Sequence, residues 1–461
     1  MPRRVVVIGL DCVAPTLAFD QLRAELPNLS ALIARGCHGP LRSSVPPITV
    51  PAWTCMFSGH DAGELGLYGF RNRTGAGHEL SIASSRDVHV TRTWERAGQA
   101  GKRVATLFVP LTYPPTPVNG CLISGLLTPT PERVHTHPAA LGERLARTHG
   151  PYRMDVEGFR SEARLQTIEA LGTMTRQHFA IARELYRAER PDLMTMVEIG
   201  PDRLHHVAWH ALDRNHRRHD ADGALAAAAR GYYRMLDHEL GALISLLDDD
   251  TVVIVVSDHG ARPLCGGIAI NEWLRARGDL VLSGPVDGPT PPAQMPVDWS
   301  RTRAWAEGGY YARIFLNVAG REPEGIIPAH AREQVRDELL AALHELPGPE
   351  GEPLEHRLVV PEQAFRATRG RPPDIMAFLG DLDYRAIGSV GLDAIHLPDN
   401  DTGPDACNHD WDGIFVMAGP DLPARGAVSG YTLYDVNRTV LGLMDIPCPD
   451  DLLGVDRSRH P

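Results

Sequence analysis

At 461 residues, with 44 Gly and 38 Pro, the chain is long enough to bury a large core and carries the many tight connections of a multi-layer fold, more than a helical bundle would need. Its formal charge of -12, with Lys102 the only lysine, argues against a binder of nucleic-acid backbones, which needs clustered basic residues. Seven widely spaced cysteines (Cys12, Cys37, Cys55, Cys121, Cys265, Cys407, Cys448) without a C-x-x-C pair indicate neither a disulfide framework nor a cysteine zinc site, and read as thiols in a reducing compartment. Arg3-Arg4 before Val5–Leu10 opens like a signal peptide, but the apolar run is short, Asp11 interrupts it, and no apolar stretch of about 18 residues occurs anywhere. A soluble cytoplasmic protein with no membrane or nucleic-acid partner is expected.

In chain order, Val5-Val-Val-Ile-Gly-Leu-Asp11 reads as a strand buried on both faces that ends in an acid. Helical periodicity at Leu26–Arg35 closes at Gly36, and a short strand is expected at Gly39–Arg42. In Val45-Pro-Pro-Ile-Thr-Val-Pro-Ala-Trp53, the prolines force extended backbone before Thr49, and Pro51 suits the first turn of a helix through Met56 to Gly59. Thr49 then sits just ahead of a helix, either as an ordinary N-cap or where free amides and the helix dipole favour an anion. A strand at Val104–Val109, helices at Pro138–His149 and Arg164–Ala188, and a strand at Leu193–Glu198 follow. Next, Asp202 and His206 are four apart, so on a helix both can face one point. His205 and His210 compete with His206 for that role, although His205 would point elsewhere on a regular helix.

An amphipathic helix over 223–248 feeds the run Thr251-Val-Val-Ile-Val-Val-Ser-Asp-His-Gly260, a second buried strand, this one ending in Asp258-His259. If the two acid-ending strands run parallel in one sheet, Asp11 and Asp258 emerge on one edge, where open α/β sheets build ligand sites. Gly278–Ser300 lacks periodicity, as an inserted segment would. Strands are expected at Arg303–Ala306, Ala312–Asn317 and Asp374–Leu379, with helices at Ala329–Leu346 and Tyr434–Leu443, and His409 stands just before a further strand. The expected architecture is α/β: one doubly wound, mostly parallel sheet with helices on both faces. It forms a single domain over 1–461, with an inserted cap at about 262–300 and a loop-rich insertion at about 320–400.

Asp11, Asp202, Asp258, His206, His259 and His409 are carboxylate and imidazole groups at strand ends or adjacent turns, with no cysteine, a donor set that suits one or two zinc or manganese ions. A two-metal site beside a hydroxyl at a helix N-terminus is the arrangement of phosphoryl transfer.

In their order, Val5–Asp11, Pro46–Gly59, Asp202–His206, Ser257–Gly260 and His409 resemble the alkaline phosphatase superfamily. The resemblance is to the branch with type I phosphodiesterases, nucleotide pyrophosphatases and the related phosphohydrolase/phosphomutase proteins. It implies two zinc ions, one held by Asp11, Thr49, Asp258 and His259 and the other by Asp202, His206 and His409. Thr49 would be the transiently phosphorylated nucleophile, acting on a small phosphate ester. Formally, two divalent ions balance three carboxylates and an alkoxide. Where nucleotide pyrophosphatases carry asparagine and histidine three and four residues after the nucleophile, this chain has Ala52 and Trp53. Another donor must then hold the phosphate oxygen, and Arg71 and Arg203 are candidates, while Trp53 is a candidate wall for a second ester substituent. A phosphodiesterase is expected; a phosphomonoesterase or phosphomutase is the alternative, and an inactive ligand-binding member a third reading.

Overall fold

The computed structural model describes residues 3–75 and 77–459. The chain forms two compact units: the first takes the residues up to Phe70, Ala83–Ala261 and everything from His409 on, and the second takes Arg71–Ile82 and Arg262–Asn408.

The first unit is built on a ten-stranded sheet. Its five central strands, Thr251–Val256, Arg4–Leu10, Leu193–Glu198, Val104–Val109 and Gly120–Ser124, lie side by side in that order and run parallel. Their residues are almost all inaccessible to solvent, which is why these segments read as unbroken aliphatic runs without polar alternation. The Asp412–Ala418 strand runs antiparallel beside Thr251–Val256 and carries Cys37–Arg42 on its outer edge. Helices cover the sheet. Arg164–Glu189, Gly200–Leu212 and Ala224–Ile244 pack on one another, and Thr49–Ser58, Thr93–Gln99 and Tyr434–Leu443 form a second group.

Register places the site. Arg4 pairs with Thr251 and Gly9 with Val256, so the same offset carried two residues past the strand end sets Asp11 level with Asp258. On the other side Leu10 pairs with Glu198. Three strands therefore deliver an acid to the same carboxyl edge.

The second unit holds a four-stranded antiparallel sheet of Ala304–Glu307, Ala312–Leu316, Ile375–Phe378 and Arg357–Val359. A smaller sheet joins Gly266–Ala269 to Tyr384–Ile387 and His396–Leu397, and Arg71–Arg73 pairs with Leu80–Ile82. Trp305, Phe315, Leu339 and Leu343 belong to its apolar core. The stretches 262–300 and 320–400 both lie in this unit.

Local readings shift in a few places. The helix expected over 329–346 is a 3-10 turn, Ala329–Ala331, followed by Arg332–His344. The Gly120–Ser124 strand is an addition to the sequence reading, its glycine and cysteine having diluted the aliphatic pattern. Thr49 is not an N-cap: Ile48 is, with no side-chain cap, and Thr49 is the first residue of Thr49–Ser58.

Candidate active site

All seven expected ligand and nucleophile residues belong to the first unit, and all are buried: Asp11, Asp202, Asp258, His206, His259, His409 and Thr49 are at most 1% exposed. One oxygen or nitrogen each from Asp202, His206 and His409 falls within 4.8 Å of the others, and the same holds for Asp11, Asp202 and His259. Asp202 therefore belongs to both groups, where the sequence reading had assigned it to one. Asp258 joins through His259, its Oδ2 being 3.2 Å from Nε2. Thr49 Oγ1 stands 3.4 Å from the same Nε2. The imidazoles of His259 and His409 stack with centroids 3.7 Å apart.

These atoms face one another without satisfying one another. Asp11 Oδ1, Asp202 Oδ1 and Asp258 Oδ2 are buried and accept no hydrogen bond from the described residues. The nitrogen-to-oxygen separations are 3.6 Å for His259 to Asp11, 3.6 Å for His206 to Asp202 and 3.4 Å for His409 to Asp202. Donor atoms held about 2.0–2.2 Å from one tetrahedral ion stand about 3.3–3.6 Å from each other, so the spacing is that of co-ligands. The tautomers agree. His259 Nδ1 faces the Gly260 carbonyl at 3.0 Å and His409 Nδ1 the Pro47 carbonyl at 3.0 Å, and since a carbonyl can only accept, both Nδ1 atoms carry the proton and both Nε2 atoms present a lone pair. The residues present therefore fit the binding of divalent metal.

The electrostatics point the same way. Burial first, then the charge on Asp202, push the Asp11 carboxyl well above its ordinary value. Asp258 is pushed up by burial, then by Asp11 and Asp202. For Asp202 burial is outweighed by His206, with His409 and Arg203 contributing, and its carboxyl sits well below the usual range. Burial, then His409, holds His259 well below the ordinary imidazole value. Burial likewise lowers His409, against the pull of Asp202. Three carboxylates and three imidazoles packed this way lack positive charge, which is what a bound cation supplies.

The scaffold fixes these groups by short links. Ser257 Oγ donates to the Leu10 carbonyl and accepts from Val13 N at 3.0 Å, tying the two acid-bearing strand ends together. Cys12 N donates to Asp258 Oδ1 at 3.3 Å, and Cys12 itself lies at φ 68°, a left-handed conformation uncommon for a side-chain-bearing residue. Ser43 Oγ donates to the Asp258 carbonyl.

Of the competing histidines, His205 turns away: its Nε2 is 2.7 Å from the Tyr233 hydroxyl, and burial lowers it to about 3. His210 Nε2 instead faces Arg164 Nη1 at 3.3 Å. The expected substrate contacts are placed differently. Trp53 is 0% exposed and its Nε1 donates to Asp11 Oδ2 at 2.7 Å, so it orients a ligand residue and offers no open wall for an ester substituent. Gly9 makes this possible, since a Cβ there would come within 2.4 Å of the Trp53 ring. Arg203 does not reach outward: it donates to Asp202 Oδ2 at 2.7 Å and to Asp155 through two nitrogens. Arg71 belongs to the second unit, where it lines a cavity of about 810 Å³ with His78, Trp299, Trp305 and Glu307.

Sequence reasoning passed over Glu198, although an acid ending a buried strand is the signal that picked out Asp11 and Asp258. Glu198 is 0% exposed and takes hydrogen bonds from Thr175 Oγ1 at 3.1 Å and Gly200 N at 2.9 Å, with His178 Nδ1 at 2.9 Å. It anchors the first turn of the helix that carries Asp202 and His206.

Among curated proteins none matches the chain by sequence. Solved structures match its fold over nearly the whole length. Phosphonoacetate hydrolase from Sinorhizobium meliloti 1021 in complex with phosphonoacetate superposes with a TM-score of 0.61 at 15% identity, over 96% of each chain. An inactive variant of murine ectonucleotide pyrophosphatase/phosphodiesterase 5 in complex with AMP gives 0.59 at 14% identity, over 97% of this chain and 96% of that one. The human form of the latter protein gives 0.57 at 15%. These likenesses place the fold among alkaline phosphatase-like proteins. The model of the type I phosphodiesterase/nucleotide pyrophosphatase family matches residues 5–412, and the chain belongs to that family.

Proposed function

We propose that the chain is a metal-dependent phosphodiesterase in which Thr49 is the nucleophile and a phosphothreonine forms and is hydrolysed. The observation that carries this reading is the convergence of three unanswered carboxylate oxygens and two oriented imidazole nitrogens beside the Thr49 hydroxyl. Asp11, Asp258, His259 and Thr49 would hold one ion, and His206 and His409 the other, with Asp202 within reach of both. When bound, two zinc or manganese ions supply Lewis acidity that makes the threonine hydroxyl acidic and stabilises the departing oxygen.

The chain's own residues do the rest. Thr49, the first residue of its helix, presents its oxygen to phosphorus next to backbone amides that no side chain caps. As the Thr49 Oγ–P bond forms, the Thr49 proton passes to solvent, the P–O bond to the leaving alkoxide breaks, and the alkoxide takes a proton from water. Water then displaces Thr49 from phosphorus and restores its hydroxyl.

Charge favours a diester. A monoester brings about two negative charges and needs an extra fixed cation, and Arg203, the buried guanidinium bonded to Asp202, is already engaged by two carboxylates. Solved structures that share this fold include complexes with AMP and with phosphonoacetate, both small phosphorus oxyanions. The test is metal analysis of the purified protein, followed by matched p-nitrophenyl esters. About two equivalents of metal and a higher kcat/KM for the diester are expected. A protein that binds no transition metal overturns the metal reading, and a clear monoester preference overturns the diester assignment in favour of a phosphomonoesterase or phosphomutase.

A further inference from the structure

Arg203 poses a problem for the site just described. It is a guanidinium whose side chain is 8% exposed, and it bonds a carboxylate that sits in both ligand groups. A cation donating to a metal ligand withdraws electron density from it and competes with the metal for its charge. Every positive charge buried here has to be answered by something other than the ligands, or the ligands weaken.

Asp155 answers it. Its carboxylate takes the guanidinium in a fork, Oδ1 accepting from Nε at 2.8 Å and Oδ2 from Nη2 at 2.7 Å, which leaves Nη1 for Asp202 Oδ2. Asp202 Oδ1, the oxygen with no hydrogen bond from the described residues, then remains turned toward His206 and His409. Phe159 covers the guanidinium, its ring 4.4 Å from Cζ, and reaches His206 with ring centroids 5.7 Å apart. The segment that brings Asp155 here is pinned to the scaffold. Arg153 N donates to Gln177 Oε1 at 2.9 Å, and the Arg153 carbonyl accepts from His178 Nε2 at 2.7 Å. Two metals, three carboxylates and the Thr49 alkoxide cancel formally, so Arg203 would leave the site one charge positive and Asp155 removes that excess.

We infer that Asp155 is a positioning residue for metal binding: by engaging Arg203 Nε and Nη2 it holds the guanidinium to a single bond with Asp202 Oδ2 and offsets its charge, leaving Oδ1 for the ions, and so sets the affinity of the ions that Asp202 would hold. This rests on the metal reading of the cluster.

The experiment is a double-mutant cycle read as zinc affinity, by competition with a chromophoric chelator, on wild type, D155N, R203Q and D155N/R203Q. Melting of the metal-free forms reports on the fold. D155N is expected to bind zinc about 10–100-fold more weakly than wild type, the range typical of losing a partner that orients a metal ligand. D155N/R203Q is expected to recover most of that loss, because the uncompensated charge is gone, and D155E to stay near wild type. A D155N protein that binds zinc as wild type does, or a double variant whose loss is the product of the two single losses, overturns the inference. If D155N does not fold, R203Q against D155N/R203Q decides. Equal affinities support Arg203 as the only route from Asp155 to the metals, and a further loss in the double variant overturns it. A wild-type protein that takes up no zinc overturns the metal reading and this inference together, whereas zinc bound equally by wild type and D155N overturns this inference alone.

Discussion

Each unit buries a cluster of charges, and the two clusters are built on opposite plans. In the second unit Asp374 is 0% exposed, yet Oδ1 accepts from Arg321 and Arg332 at 2.9 and 2.7 Å, and Oδ2 from Leu316 N and Arg321, both at 2.7 Å. Glu322 is answered likewise by Arg73 and Arg321. In the first unit Asp11, Asp202 and Asp258 are as deeply buried, but one oxygen of each has no hydrogen bond from the described residues, and these oxygens lie among imidazole nitrogens that carry lone pairs. An unanswered buried carboxylate is costly, whereas a saturated one is close to neutral for folding. Closed networks hold a fold together, and open convergent ones await a group from outside the chain.

The largest expected effect follows from supplying or withholding that group. Chelation should abolish turnover and lower the melting temperature, because zinc at 100 times its Kd adds about 2.7 kcal/mol of stability. The pH dependence has a definite sign. Without metal, Asp11 and Asp258 keep their protons above the ordinary carboxylate range, so binding must release them and apparent zinc affinity should rise with pH. An affinity flat or falling with pH, measured by chelator competition, would contradict the open cluster.

Thr49→Ala comes next: about a thousandfold or greater loss of kcat is expected, with zinc still bound, though more weakly at one position, through Asp11, Asp258 and His259. Its hydroxyl caps no helix, so the change in melting should be small. Asp374→Asn tests the other half of the comparison. Breaking one partner of the closed cluster should cost about 3–5 kcal/mol of stability while zinc binding by the folded protein stays as in wild type. If zinc affinity falls as far as stability, the two clusters are not separate in kind. The smallest effect is expected for Trp53→Phe, which keeps a ring over Gly9 but removes the donor to Asp11 Oδ2. Zinc affinity should drop about tenfold, with substrate selectivity unchanged.

Much of the first unit was legible because its central strands are buried on both faces, and only aliphatic runs such as Val252–Val256 survive there. Those runs end in acids, and the parallel register carries the ends to one edge, so Asp11 and Asp258 could be placed together from sequence alone. The orienting partners were not legible. Trp53 reads as an aromatic helix residue, and its role depends on the missing side chain at Gly9, more than forty residues earlier. Arg203 and Asp155, almost fifty residues apart, meet only through the tertiary fold, in which the Asp155 segment is tied to Gln177 and to Arg203. The Pro47 carbonyl that sets the His409 tautomer carries no side-chain signal at all. In the second unit three strands of the four-stranded sheet were legible as short apolar runs, whereas Arg357–Val359, three residues long, lacks the length for periodicity to speak, and the antiparallel order emerges only from tertiary pairing.

His409 reaches the cluster only after the chain has left the first unit at Ala261 and travelled through the whole of Arg262–Asn408. An ion held by His206 and His409, as proposed, would be a reversible crosslink that closes a loop of about two hundred residues. Closure entropy grows only with the logarithm of loop length, so doubling or halving that loop changes the cost by about 0.6 kcal/mol. The interval between His259 and His409 is therefore a place where chain can be added, removed or exchanged with almost no entropic penalty to the ions, whatever the added chain is for.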